Sequence, residues 1–164
     1  MTEVLVMQEE FYTIRLATTT DRESTQRISV DAYTKAYLPV IGAIPKPALE
    51  DYTPRIEAGQ VFVIEKSDQV SGVLVLEPRD VYVLIYSVAV DPTVKNKGFG
   101  AALMRFAESY AKNINVRELR LFTNSRMHRN LEFYRRLGFV EIGTRAHPTR
   151  VGERLVDMSR ILTL

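Results

Sequence analysis

Hydrophobic periodicity switches from strand-like to helical at Asp91-Pro92, and that change constrains the fold more than any other feature. Before it, Val61-Phe-Val-Ile64, Val70 to Leu76 and Val81 to Val90 are rich in β-branched and aromatic residues. The polar Lys66-Ser-Asp-Gln69 and the Pro78-Arg79-Asp80 break separate them, so the three runs read as an antiparallel meander. After it, Leu103, Phe106, Ala107, Tyr110 and Ile114 recur at helical spacing as one apolar stripe on a helix ending near Asn113. The two regimes meet in Lys95-Asn-Lys-Gly-Phe-Gly-Ala101, a glycine-containing turn between strand and helix.

The flanks extend this pattern. Residues 1–10 have no clear period and read as a loose tail, leaving 11–164 as one domain. A short strand is expected at Tyr12 to Ala17. Thr20-Asp21-Arg22-Glu23 reads as a capping box opening a helix to about Tyr37, with Ile28, Ala32 and Ala36 on one face. Four prolines and Gly42 break regular structure between Leu38 and Pro54, with room for a short helix from Lys46 into Ile56. A strand at Glu118 to Thr123, a helix from Met127 to Leu137 stopped by Gly138, and strands at Phe139 to Arg145 and Arg154 to Ile161 complete the chain. The order predicts an α/β fold of the α+β type in a single domain.

Composition narrows the function classes. Twenty-two Lys+Arg against 20 Asp+Glu leave a net charge of +2 in 164 residues, too weak a field to mark a nucleic-acid or membrane-surface protein. There are no cysteines, which excludes disulfides, thiolate metal sites and a cysteine nucleophile. His128 and His147 are the only histidines and form no metal-ligand pair. Met1 to Glu10 lacks a signal pattern, and Val81 to Val90 is too short to span a bilayer. The expectation is a cytoplasmic protein with no metal, no nucleic-acid partner and no membrane partner.

The glycine turn carries the most chemistry. Free N–H groups and the helix dipole favour an anion there. Gly98 and Gly100 let a phosphate approach the main chain, and Lys95 and Lys97 add positive charge. The bland alternative is a turn with solvated lysines. A Walker A loop is excluded because no Gly-Lys-Ser/Thr occurs. A dinucleotide fingerprint is disfavoured because Leu103 stands where its third glycine belongs, after antiparallel strands rather than at the start of a parallel unit.

Val88-Ala-Val-Asp-Pro-Thr-Val-Lys-Asn-Lys-Gly-Phe-Gly-Ala-Ala-Leu103 resembles the acetyl-CoA loop of the GNAT superfamily of N-acetyltransferases, with Lys95 in place of the usual Gln or Arg. Asn130-Leu-Glu-Phe-Tyr-Arg-Arg-Leu-Gly-Phe139 is similar to that family's second motif, Asn-x-x-x-Tyr followed by Leu-Gly-Phe. The two together, in the right order about 30 residues apart, are more specific than either alone, and the resemblance runs from about Val61 to Val140. It implies a mixed, mostly antiparallel, splayed sheet flanked by helices, with acetyl-CoA as co-substrate. It also implies that backbone N–H groups of Asn96, Lys97, Gly98, Phe99, Gly100 and Ala101 cradle the pyrophosphate, with Lys95 facing it. Val88 and Val90 would pair with the pantetheine arm through their main chain, Asn130 would bond that arm, and Tyr134 would protonate the leaving thiolate. A homodimer is the family-level expectation.

Acyl transfer to an amine needs a neutral amine, a donor for the developing oxyanion and a proton for the thiolate. Without cysteine, direct attack is the simpler route. The Val88 N–H is the candidate oxyanion donor and Tyr134 the candidate acid, its alternative being a core aromatic between Leu131 and Leu137. No base is nominated. Val81 to Val90 holds no carboxylate, Glu77 and Asp80 read as solvated turn charges, and His128 as a solvated first-turn residue. Alternation puts Tyr82, Leu84 and Tyr86 opposite Val83, Ile85 and Ser87. One of these faces, or Tyr33, Tyr37 and the loop through Pro45 and Pro47, would line the acceptor pocket. Arg126, Arg129, Arg135 and Arg136 read as a basic helix face that could meet a 3′-phosphate. The leading expectation is an acetyl-CoA-dependent N-acetyltransferase acting on a primary amine of a small molecule or an exposed peptide or protein amine. A catalytically silent acyl-CoA-binding regulatory module is the alternative, and a basic RNA-associated domain fits poorly with the balanced charge.

Overall fold

The computed structural model describes residues 5–8, 11–94 and 97–163. The three central apolar runs form β3 (Val61–Lys66), β4 (Gln69–Pro78) and β5 (Val83–Val90), paired antiparallel in chain order. On one side lie β2 (Thr13–Leu16) and β1 (Met7–Gln8); on the other lie β6 (Glu118–Asn124), β8 (Arg154–Ile161) and the edge strand β7 (Val140–Ala146). The order is β1-β2-β3-β4-β5-β6-β8-β7. Among the described residues only β5 and β6 pair in parallel. That pairing requires a crossover, which α4 (Phe99–Asn113) supplies. The result is the mixed, mostly antiparallel sheet expected from the motifs.

Helices cover both faces. α4 packs on one, where Ile64, Leu74, Leu76, Val83, Ile85, Leu103 and Phe106 are buried together. α1 (Arg22–Ile41), α2 (Lys46–Leu49) and α3 (Thr53–Glu57) lie on the chain between β2 and β3, and Ile28, Tyr52 and Ile56 from this segment pack with Val61, Val63, Val73, Val75 and Ala89 in a second core. β4 is apolar almost throughout because alternate residues feed the two cores. No helix of the described residues is long and apolar enough to cross a membrane.

Local expectations need adjustment. Within the ten-residue tail, Met7 and Gln8 pair with Ile14 and Thr13; residues 1–4, 9 and 10 lie outside the described residues. The cap expected at Thr20 and Glu23 is formed two residues earlier, where the Asp21 carboxylate accepts the Thr18 N–H at 2.8 Å. Arg15 also reaches Asp21, at 2.8 Å, and thereby selects this cap over the neighbouring threonines. α1 continues past Tyr37 through Pro39 and stops at Gly42, whose φ of 70° closes the helix with a bond to the Leu38 carbonyl. A proline this near the C-terminus breaks few intrahelical bonds, and glycine adopts the left-handed cap cheaply.

The Arg15 guanidinium, followed by the Thr18 N–H, holds the Asp21 carboxyl below its usual range against the opposing cost of burial. A depressed carboxylate stabilises the fold above its unfolded value near 3.8 and loses that contribution as pH falls below it towards the folded value. Asp21→Asn should therefore cost about 1–2 kcal/mol at neutral pH. The difference in Tm from wild type should shrink between pH 4 and about pH 2; a gap independent of pH would refute the charge argument.

Candidate active site

β5 and β6 touch at only two positions, Val83 with Leu119 and Leu84 with Arg120. Beyond them the strands splay, and a cavity of about 270 Å³ opens between Ser87, Val88 and Val90 on one side and Leu121, Phe122 and Thr123 on the other. Asn130, Phe133 and Tyr134 of α5 (His128–Arg136) close one end, Gly100 borders another, and Tyr33 and Tyr37 of α1 lie beneath.

The β5 edge facing this opening follows from register. Asp91 N–H bonds the Ser71 carbonyl at 2.8 Å, and Ser71 immediately precedes the Gly72–Val90 pair. In an antiparallel ladder bonded and non-bonded pairs alternate. The Val73–Ala89 and Val75–Ser87 pairs are therefore the bonded ones, and the N–H and C=O of Val88 and Val90 point away from β4, across the opening. A bulge on β5 follows, since Val75 pairs with Ser87 while Leu76 pairs with Ile85, skipping Tyr86. This overturns the simple alternation. Tyr86 and Ser87 share a face, Tyr86 packing on the α1-side core and Ser87 Oγ lying 2.7 Å from Tyr33 Oη.

At the start of α4, Gly98 is the N-cap with φ 72°, a left-handed conformation that a β-carbon would strain, and no side chain among the described residues caps the helix. The first intrahelical bond runs from Ala102 N–H to the Gly98 carbonyl, so the N–H groups of Gly98, Phe99, Gly100 and Ala101 have no intrahelical acceptor. The Phe99 side chain is buried against Tyr12 and serves the core. Phe133 walls the turn, with its ring 3.5 Å from where a Gly100 β-carbon would sit. Lys97 is exposed, whereas Lys95 and Asn96 lie outside the described residues.

Four phenols crowd this region. Burial raises the pKa of Tyr33, Tyr37, Tyr52 and Tyr134, keeping all four protonated at neutral pH. Asn130 Nδ2 donates to Tyr37 Oη at 3.1 Å and to Thr123 Oγ1 at 3.3 Å. The Tyr134 phenol makes no hydrogen bond among the described residues, which leaves a donor uncommitted in the cavity wall.

Charges expected to be solvated are mostly paired. Glu77 is held by Arg55 and Arg79, each at 2.6 Å, because α3 lays Arg55 across the strand end. Asp80 and His128 are exposed, as expected. The arginines do not form one basic face: Arg126 precedes α5 and pairs with Glu153, Arg135 with Glu141 and Arg136 with Glu132. Thr123 and Phe133 went unnoticed in the sequence, where an ordinary strand threonine and helix phenylalanine carry no signal. Among the described residues no carboxylate lines the cavity.

Sheet order and the parallel split define the class, an acyltransferase-type α/β fold with an open sheet. The chain belongs to the acetyltransferase (GNAT) family, whose model matches residues 14–139. An uncharacterised N-acetyltransferase of Methanocaldococcus jannaschii is 38% identical over 66 residues, a match covering 40% of this chain and 29% of that protein. Among solved structures, Ard1 from Thermoplasma volcanium superposes with a TM-score of 0.75 at 22% identity, over 93% of this chain and 99% of that one. The PaiA N-acetyltransferase of Thermoplasma acidophilum, solved in complex with coenzyme A, gives 0.73 at 16% identity over 92% and 98%. At these identities the structural likeness speaks for the fold.

Proposed function

We propose that the protein is an acetyl-CoA-dependent N-acetyltransferase that moves the acetyl group directly to a primary amine. The observation that carries this reading is the uncommitted Tyr134 phenol in a split whose rim offers unpaired main-chain groups of Val88 and Val90 and an uncapped helix N-terminus. The residues fit the coenzyme: N–H groups at Gly98 to Ala101 suit a pyrophosphate, and a free strand edge suits an amide-bearing arm. Acetyl-CoA would supply a thioester carbonyl.

In this reading the amine forms its C–N bond to that carbonyl, the C–S bond breaks, the amine proton leaves to water and Tyr134 Oη gives a proton to the departing sulfur. The Val88 N–H would donate to the carbonyl oxygen as negative charge grows there. Asn130 would orient the arm through its remaining carbonyl, its amide nitrogen being engaged by Tyr37 and Thr123.

Thermal unfolding with acetyl-CoA tests the reading, with adenosine as control. At about 100-fold over its dissociation constant, a ligand binding only the folded state adds about 2.7 kcal/mol, several degrees for a chain of this size. A rise with acetyl-CoA alone, together with sequential initial-rate kinetics, is expected; no rise would remove the coenzyme site. Because no carboxylate among the described residues lines the cavity, a silent acyl-CoA-binding module is the second reading. Binding without turnover on any amine would favour it.

A further inference from the structure

The connection between β7 and β8 borders the space beside the split and carries a side-chain donor, on Arg150, that nothing among the described residues accepts. His147 Nδ1 accepts the main-chain N–H groups of Thr149 at 3.1 Å and Arg150 at 2.9 Å, so the neutral ring carries its proton on Nε2. Burial, then the Arg150 guanidinium, lowers the pKa of this imidazole. Nε2 lies 3.1 Å from Arg150 Nη2, which sets two donors side by side. Arg150 Nε is buried with no hydrogen-bond partner among the described residues.

Nearby acids are engaged elsewhere. Glu153 pairs with Arg126 at 2.9 Å, Asp157 with Arg145 at 3.0 Å and Glu50 with Arg55. Among the described residues Arg150 has no carboxylate within ion-pair distance. A buried guanidinium N–H without an acceptor is unfavourable, and an anion placed between Arg150 and His147 would satisfy it. Both residues line a cavity of about 380 Å³, a size suited to a small molecule. Its wall shares Tyr33, Tyr37, Tyr86 and Phe122 with the split, so the two spaces adjoin. Among the described residues no Asp or Glu lines it, whereas Lys46 and Arg145 add further positive charge.

We propose that the acceptor is a small amine bearing an anionic oxyacid group, built like an α-amino acid, with the oxyacid on Arg150 and His147 Nε2–H and an apolar body against Tyr33 and Tyr86. This rests on the acetyltransferase reading. A planar guanidinium matches a carboxylate in two-point fashion. The cations of the lining, Lys46, Arg145 and Arg150, disfavour a polyamine.

The test follows thiol release from acetyl-CoA with phenylalanine and leucine, their amides, the matching aminophosphonates, phenethylamine and spermidine. The acids or aminophosphonates should exceed the amides at least about tenfold in kcat/KM, as expected of a site built around one polar group. Whichever anionic arm is better identifies the oxyacid. Arg150→Gln should raise KM for the acid about tenfold and bring the acid-to-amide ratio towards one; Arg150→Lys should restore part of the preference. Equal or better use of amides, amines or spermidine overturns the proposal, as does absence of turnover with every anionic acceptor. The acetyl-CoA thermal shift, run on the same preparations, separates the two failures. No shift in wild type removes the coenzyme site, whereas a shift with the wrong acceptor preference removes only this inference.

Discussion

Tyr134→Phe should lower kcat about 100-fold while leaving the acetyl-CoA thermal shift within a degree of wild type. The substitution removes one oxygen that makes no hydrogen bond among the described residues, so folding loses little. The ring contacts with Phe133 at 5.3 Å and Phe139 at 5.9 Å survive it. The expected factor sits at the lower end of acid–base effects for a physical reason. Burial, then neighbouring Tyr37, raises the Tyr134 pKa well above the ordinary phenol value, while a free thiol titrates near about 8.5. Transfer to a solvated thiolate would therefore run uphill. The same desolvation raises the thiol's affinity for a proton within the cavity, which narrows the mismatch without reversing it. Unchanged kcat would remove Tyr134 from the reaction and leave it as a core aromatic.

What the sequence disclosed and what it withheld divide along physical lines. β3, β4, β5 and α4 were legible because each buries a face, and burial writes a period of two or 3.6 into the residues themselves. The glycine turn was legible because Gly98 occupies a left-handed N-cap at a helix start, a local demand that one residue type meets. The cap of the turn that leads into α1 was misplaced because Thr18, Thr19 and Thr20 are equivalent locally, and Arg15 from β2 chooses among the candidates by pairing with Asp21. Tyr86 and Ser87 share a face only because β4 and β5 shift register there, and no single strand records its partner's register. Glu77 resembles any turn acid until α3 brings Arg55 to it.

The cleft shows the same division more sharply. Val88, Val90, Asn130 and Tyr134 came from motifs, and all four line the split. Tyr37, Thr123 and Asn130 form one hydrogen-bonded set drawn from a helix, a strand and a second helix. Such a set has no sequence spacing to read. Arg150 sits in a polar hairpin that looks like any solvated loop, and only its buried, unaccepted Nε marks it out.

Gly72→Val should destabilise the protein by about 3 kcal/mol, or roughly 6–12 °C in Tm for a chain of this length. A β-carbon at position 72 would lie 2.8 Å from Ile64 Cγ2, 3.1 Å from the Ala89 carbonyl oxygen and 3.2 Å from Leu103 Cδ1. Ile64 is β-branched and fully buried, the carbonyl is main chain and Leu103 is locked in the α4 interface, so none can retreat without moving an element. Gly72→Ala should show a smaller loss, because it adds only the β-carbon and not valine's two γ-methyls; in both variants relief of glycine's backbone entropy, about 0.5–1 kcal/mol, offsets part of the clash. Gly143→Ala in exposed β7 is the control: nothing lies within 4 Å of its β-carbon position, and its Tm should hold or rise slightly. A Gly72→Val protein melting within a degree or two of wild type would mean that β4 and α4 are less closely packed than their contacts indicate. The strain has a functional direction as well. Ala89 lies between Val88 and Val90, so pushing its carbonyl moves the strand edge that faces the split. Acetyl-CoA affinity should consequently fall in Gly72→Ala even at temperatures where that variant remains folded, while Gly143→Ala binds as wild type does.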